Sequence, residues 1–270
     1  MTIPSTNIHT LCPWVYDFGL LCISVFKGLV TSIMETTFAI QNTLIEHISN
    51  MYGCELSRVH GQVSRFNAEE FYSSVPKFGS TDRNSPLVRH FYTQWDANDI
   101  LKNTFGQFLL EQIIPALFPK EDFVVCQKTP NIRIHIPNQT NIGRLDTDPS
   151  ENVIGLHCDS DFNHPKEEWN IIIPLTRMFD SNSIYHETTS NSAVPFDKWK
   201  SIQLETNQSW CGNLNSLRHF NKINTTGVSR VSFDLRMIAG STFETSEKLS
   251  ATSNKKFTLG EYYKRIDVKK

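Results

Sequence analysis

Six cysteines, at positions 12, 22, 54, 126, 158 and 211, are all that the chain carries, and no two of them form a CxxC pair. That spacing excludes a zinc ribbon and a tight disulfide framework, and it predicts reduced thiols in a cytoplasmic setting. A basic block is missing too: 26 Lys and Arg stand against 28 Asp and Glu, for a net charge of −2. This argues against nucleic acid as a partner and for a small molecule. No stretch is both long and unbroken enough for a membrane span. Residues 11–34 come closest, but Asp17 and Lys27 interrupt them, no positively charged segment precedes them, and no small-residue cleavage pattern follows. They are expected to pack in the core, without stable membrane association. Internal repeats and low-complexity tracts are also missing. What remains is 270 residues, 39% hydrophobic and 11% aromatic, enough for one substantial core and read as a single domain over 1–270.

The chain changes texture near Lys120. Before it, apolar positions from Thr31 to Tyr52 recur at three- and four-residue steps and Gly53 follows, which predicts an amphipathic helix with its stop. Residues 54–98, punctuated by Pro76, Gly79 and Pro86, read as loops and short elements partly covering a site. Asn98 or Asp99 is placed to cap a second helix carrying Ile100, Leu101, Phe105, Phe108, Leu109 and Ile113. After residue 120, short β-branched and aromatic runs separated by turns occupy 122–127, 131–137, 152–157, 168–175, 183–187, 201–205, 214–219 and 228–238. Eight such strands predict a mainly β fold, a double-stranded β-helix (jelly roll) over 121–240 with flanking N-terminal helices over 1–120. The polar tail, 241–270, contains FTLGEYY, apolar enough to dock on the body.

The candidate chemistry lies in NVIGLHCDSDFNHP (152–165). His157 and Asp159, two apart in an extended segment, project from the same side while Cys158 points away, so imidazole and carboxylate form a clamp suited to iron(II). The alternative is a capped turn with a surface histidine. A third ligand is needed, and His219 is the candidate, with His164 and His186 as rivals. Eleven residues past His219 come Arg230 and Ser232, an Arg-x-Ser pair that supplies a cation and a hydroxyl for a carboxylate. Strand alternation puts Arg230, Ser232, Asp234 and Arg236 on one face and Val231, Phe233, Leu235 and Met237 on the other. It separates Arg133 and His135 from Ile132, Ile134 and Ile136, and Asn170 and Ile172 from Trp169, Ile171 and Ile173. Ordinary polar sheet positions would look the same at Arg133, His135, Asn170 and Arg236.

Together, His157-x-Asp159, distal His219 and Arg230-x-Ser232 resemble the iron(II)/2-oxoglutarate-dependent oxygenases. NIRIHIP (131–137), GLHCDSDFNHP (155–165), EWNIIIPLT (168–176), NSIYHE (182–187) and TGVSRVSFDLRMI (226–238) are similar to the streptomycin-biosynthesis hydroxylase-like oxygenases of antibiotic pathways. The resemblance covers about the second half of the chain. It implies a jelly roll, iron(II) held by His157, Asp159 and His219, and 2-oxoglutarate held by Arg230 and Ser232 with Asn170 and Arg133 nearby. It also implies dioxygen as oxidant and a small polar natural product as substrate, met by His135, His164 and Arg236. Hydroxylation, desaturation and ring closure all fit, and a jelly roll that binds a small molecule without redox chemistry is the rival class. Asp159 counts against halogenation, since related halogenases lack that carboxylate.

Overall fold

The computed structural model describes residues 22–26, 29–35, 38–66, 85–139, 154–188, 195–251 and 253–268. Two antiparallel sheets face each other across the metal-ligand residues, and helices cover the outer side of the larger one. The strands in chain order are β1 (Cys22–Phe26), β2 (Leu29–Glu35), β3 (Phe123–Gln127), β4 (Asn131–His135), β5 (Ile154–His157), β6 (Trp169–Pro174) and β7 (Ile184–His186). They continue as β8 (Lys200–Ser201), β9 (Gln208–Gly212), β10 (His219–Asn221), β11 (Arg230–Ala239), β12 (Ser246–Leu249), β13 (Lys256–Phe257) and β14 (Tyr263–Asp267).

The large sheet runs β1-β2-β9-β6-β11-β3-β14, with β4 sharing the β3 side of β11, and the small sheet runs β5-β10-β7-β8. β11 is the central member: Arg230–Asp234 pair with β4, Met237–Ala239 pair with β3, and Ser232–Met237 pair with β6 on the opposite edge. This is the expected jelly roll, with polar residues of alternate parity turned toward the facing sheet.

Alternation explains why the helices sit where they do. Val231, Phe233, Leu235 and Met237, with Ile132, Ile134, Ile136, Ile171 and Ile173, form one continuous core with helical residues such as Leu44, Ile48, Phe91 and Phe105. Phe233 is the hub, with its ring 5.0 Å from that of Phe105 and 5.7 Å from that of Phe91. The helices are α1 (Phe38–Tyr52), α2 (Pro86–Ala97), α3 (Asp99–Phe108) and a short α4 (Ile114–Leu117) reached through a π turn over Leu109–Ile113. Gly53 stops α1 at φ +68°, a conformation that costs glycine little. Asn98 caps α3 through its side chain, accepting from Leu101 N at 2.9 Å.

The sequence expectations need several corrections. The first helix starts at Phe38, not Thr31, because Leu29–Glu35 is a strand pairing with β9. Residues 54–98 hold a 3-10 stretch, Leu56–Phe66, and all of α2 in addition to loops, while 67–84 lie outside the described residues. Ile100 faces solvent, 66% exposed. The strand expected at 214–219 begins only at His219, that at 201–205 shrinks to Lys200–Ser201 with a bridge at Leu204, and β9 was not foreseen. The tail does dock: Phe257, Tyr262 and Tyr263 are buried, and β14 extends the large sheet beside β3. Of the apolar run 11–34, residues 11–21 lie outside the described residues and the rest contributes β1 and β2. Among the described residues no helix is long and apolar enough to cross a membrane.

Candidate metal centre

His157 closes β5, and Cys158 continues in extended conformation, φ −103° and ψ 152°, so that Asp159 leaves on the same side although it opens a 3-10 turn, Asp159–Phe162. His219 opens β10, and its Cα partners in the small sheet are His157 on one side and His186 on the other. The sheet register therefore brings together residues 62 positions apart in the chain. One ligand atom from each of His157, Asp159 and His219 lies within 4.8 Å of the others, and no other such cluster occurs among the described residues. Nε2 of His157 and Nε2 of His219 each stand 3.8 Å from Asp159 Oδ1.

Both imidazoles are fixed in the tautomer a metal requires. Nδ1 of His157 faces Gly155 O and Nδ1 of His219 faces Leu217 O at 3.1 Å, so each Nδ1–H donates to a backbone carbonyl and each Nε2 lone pair points into the cluster. Burial lowers the pKa of His157, partly opposed by Asp159, and pushes that of His219 down to about 3, so both rings are neutral near pH 7. Asp159 is 3% exposed. Burial alone would raise its pKa, but Arg236 first, then His219, His164 and His157, hold the carboxyl well below its usual range.

Asp159 Oδ2 is occupied by the protein itself. It accepts from Asn170 Nδ2 at 2.6 Å and from Arg236 Nη2 at 2.7 Å. Arg236 also pairs with Asp234, whose Oδ2 meets Arg133 Nη2 at 3.2 Å. Asn170 Oδ1 accepts from Leu214 N at 3.0 Å, and Leu214 O accepts from Asp159 N at 3.0 Å, so one carboxamide braces both sides of the turn.

Deeper between the sheets, Arg230 is fully buried and Ser232 is 1% exposed. Ser232 Oγ and Asn221 Oδ1 are buried without a hydrogen-bond partner among the described residues. A buried orphan hydroxyl is costly unless something arrives to satisfy it. This region fits a bound polar ligand, and the mixed nitrogen and oxygen donor set of His157, Asp159 and His219 fits iron(II). His135, beside Arg230 across β4 and β11, is wholly buried with its ring between Asn182 O and Gln139 O, and burial followed by Arg230 pushes its pKa down to about 3.

Other candidates stand elsewhere. His164 Nδ1 pairs with Glu168 Oε2 at 2.7 Å, and its ring packs on Phe257 and Tyr262. Glu168 also accepts from Tyr263 Oη, which ties the tail to the turn below Asp159. His186 holds Glu187 O through Nδ1 at 2.7 Å and lies against Trp210. Cys158 is half-buried and not a core residue, and burial pushes its thiol up to about 11. Sequence reasoning missed Asp234 as the partner of two arginines. The signal was there in Asp234-x-Arg236 on the face that also carries Arg133.

Fold and site together define a class, a two-sheet jelly roll that presents two histidines and one carboxylate as a candidate metal-binding triad, an arrangement similar to that of the non-heme iron(II) oxygenases. No family model matches the chain. It is similar to the streptomycin biosynthesis protein StrG of Streptomyces griseus, 27% identical over 186 residues that cover 69% of this chain and 79% of that protein. Among solved structures it has a loose likeness to the non-heme monooxygenase ThoJ in its nickel complex, with 12% identity, a TM-score of 0.42, and coverage of 81% of this chain and 78% of that one. HygX of Streptomyces hygroscopicus with nickel and 2-oxoglutarate bound has 10% identity, a TM-score of 0.33, and coverage of 81% and 86%.

Proposed function

We propose that the protein is an iron(II)/2-oxoglutarate-dependent dioxygenase of secondary metabolism that oxidises a small polar natural product, such as an amino-acid or aminosugar derivative, in the cytoplasm. The convergence of His157 Nε2, Asp159 Oδ1 and His219 Nε2 within 4.8 Å carries the reading, because both histidines are pre-set in the metal-binding tautomer. When bound, iron(II) and 2-oxoglutarate supply the oxidising chemistry with dioxygen.

The chain's own residues do the rest. His157, Asp159 and His219 hold the metal, and Arg230 and Ser232 receive the distal carboxylate of 2-oxoglutarate in a buried, charge-assisted contact. The apolar cluster of Ile172, Met178, Ile184, Leu204, Trp210 and Leu214 between the sheets keeps water from the reacting centre. Arg133, with 24% of its side chain exposed on the inner face, is placed to meet a carboxylated substrate. Similarity to a streptomycin biosynthesis protein guides the choice of substrates to try.

Anaerobic titration of the metal-free protein with iron(II) and then 2-oxoglutarate tests the reading, with His219→Ala as control. A weak visible charge-transfer band that appears in the parent and vanishes in the control supports it. A folded parent without the band makes the protein a small-molecule binder instead. Substrate-dependent succinate release then identifies the substrate, and activity confined to peptides or nucleobases would remove the natural-product assignment.

A further inference from the structure

Arg236 lies beside the metal cluster without reaching it. The residue is 4% exposed and its guanidinium sits between two carboxylates, donating to Asp159 Oδ2 at 2.7 Å and pairing with Asp234. Asp234 in turn pairs with Arg133 at 3.2 Å. Charges alternate along Asp159, Arg236, Asp234 and the part-exposed Arg133, so each ion has an opposite neighbour and the row is neutral as a whole. β11 sets the spacing: Asp234 and Arg236 are two apart on one face, with Asn131 and Asn170 as their respective Cα partners on β4 and β6. Asn170, fully buried, adds the second bond to the same Oδ2 at 2.6 Å.

We propose that Arg236 and Asn170 are positioning residues that occupy Asp159 Oδ2, so that Asp159 offers the metal Oδ1 alone. The proposal rests on the oxygenase reading and reassigns both residues: Asn170 does not touch 2-oxoglutarate, and Arg236 does not touch substrate. Their chemical purpose follows from the donor count. A carboxylate with both oxygens free chelates through either or both, and a two-toothed Asp159 would take a coordination position that co-substrate and dioxygen need. Two donors on Oδ2 close that option. They also fix the carboxylate plane, with Oδ1 3.8 Å from both histidine nitrogens.

The test uses anaerobic cobalt(II), whose ligand-field bands report coordination number, on the full chain. Asp234→Asn/Arg236→Gln removes one charge of each sign, so the row stays neutral while Asp159 loses its guanidinium and Arg133 its carboxylate. Asn170→Ala removes the other donor and leaves every charge paired. The double variant should bind cobalt(II) at least about tenfold more weakly than the parent, with altered bands but unchanged circular dichroism. Asn170→Ala should show a smaller loss, and Arg236→Lys should fall between parent and double variant. A purely structural role would leave the bands of a folded variant alone. Parental affinity and parental bands in the folded double variant overturn the proposal; should the double variant fail to fold, the same result in Asn170→Ala overturns it. A parent that binds no cobalt(II) overturns the oxygenase reading beneath it.

Discussion

Ser232 Oγ is buried without a hydrogen-bond partner among the described residues, and Arg230 beside it on the same face of β11 is a buried cation. Burying a hydroxyl without a partner costs stability, so Ser232→Ala should leave the thermal midpoint of the metal-free protein unchanged or slightly higher while weakening 2-oxoglutarate binding by about 1 kcal/mol, roughly fivefold. Arg230→Met removes a charged donor and should weaken binding by about 2 to 3 kcal/mol, or roughly 30- to 150-fold. Calorimetric titration of 2-oxoglutarate into the nickel-loaded variants reads both. Equal binding in all three proteins would remove the pair from the co-substrate site. At this scale the sequence was informative wherever spacing alone implied geometry. Alternation placed Arg230, Ser232, Asp234 and Arg236 on the inner face, and the His-x-Asp pair projected together as read. Which inner residues bond to one another was not legible, because Asn170 reaches Asp159 across 11 residues and Arg236 reaches it across 77. Such pairs depend on sheet register, which no local pattern encodes.

Elements were legible where their end signals were strong. Gly53 does terminate α1, and Asn98 does cap α3, because both act through contacts within a few residues. The start of α1 was misread since Ile33 and Met34 happen to continue a helical period, while pairing with Trp210 and Ser209 holds them in β2. β9 passed unnoticed because QSWCG offers no clear alternation, and β6 and β2 on either side stabilise it as a strand. Among the described residues α1, α2 and α3 pack on the outer face of the large sheet, so damage there should stay separate from the metal ligands. Asn98→Ala loses the cap bond to Leu101 N and should cost about 1 kcal/mol in urea unfolding. Its cobalt(II) affinity should match the parent; a tenfold drop would show that the helices shape the metal ligands after all.

For the whole molecule, the buried neutral histidines set an acid limit. His135 has a folded pKa near 3 against an ordinary value of 6.5, so below about pH 6.5 the unfolded chain binds a proton that the folded one refuses. Stability therefore falls as pH drops from 6.5 toward 3, by on the order of 2 kcal/mol from this group at pH 5. Urea midpoints of the metal-free protein measured from pH 7 to 5 should show that slope together with the share of His219, and His135→Asn should make it shallower whatever its effect at pH 7. An unchanged slope would mean that His135 takes up its proton in the folded state. The central place of β11 has a consequence in time. Its Asp234 meets Arg133 from 101 residues earlier, and its Arg236 completes the setting of Asp159. During synthesis β4 and β6 emerge long before the strand that joins them, so their isoleucine-rich faces must wait unpaired and the setting of Asp159 cannot be finished until residue 236 has left the ribosome. Contacts this distant make folding slow and leave an aggregation-prone interval. Metal capture belongs to the finished chain: iron has no assembled cradle to enter until the last third of the protein has been made.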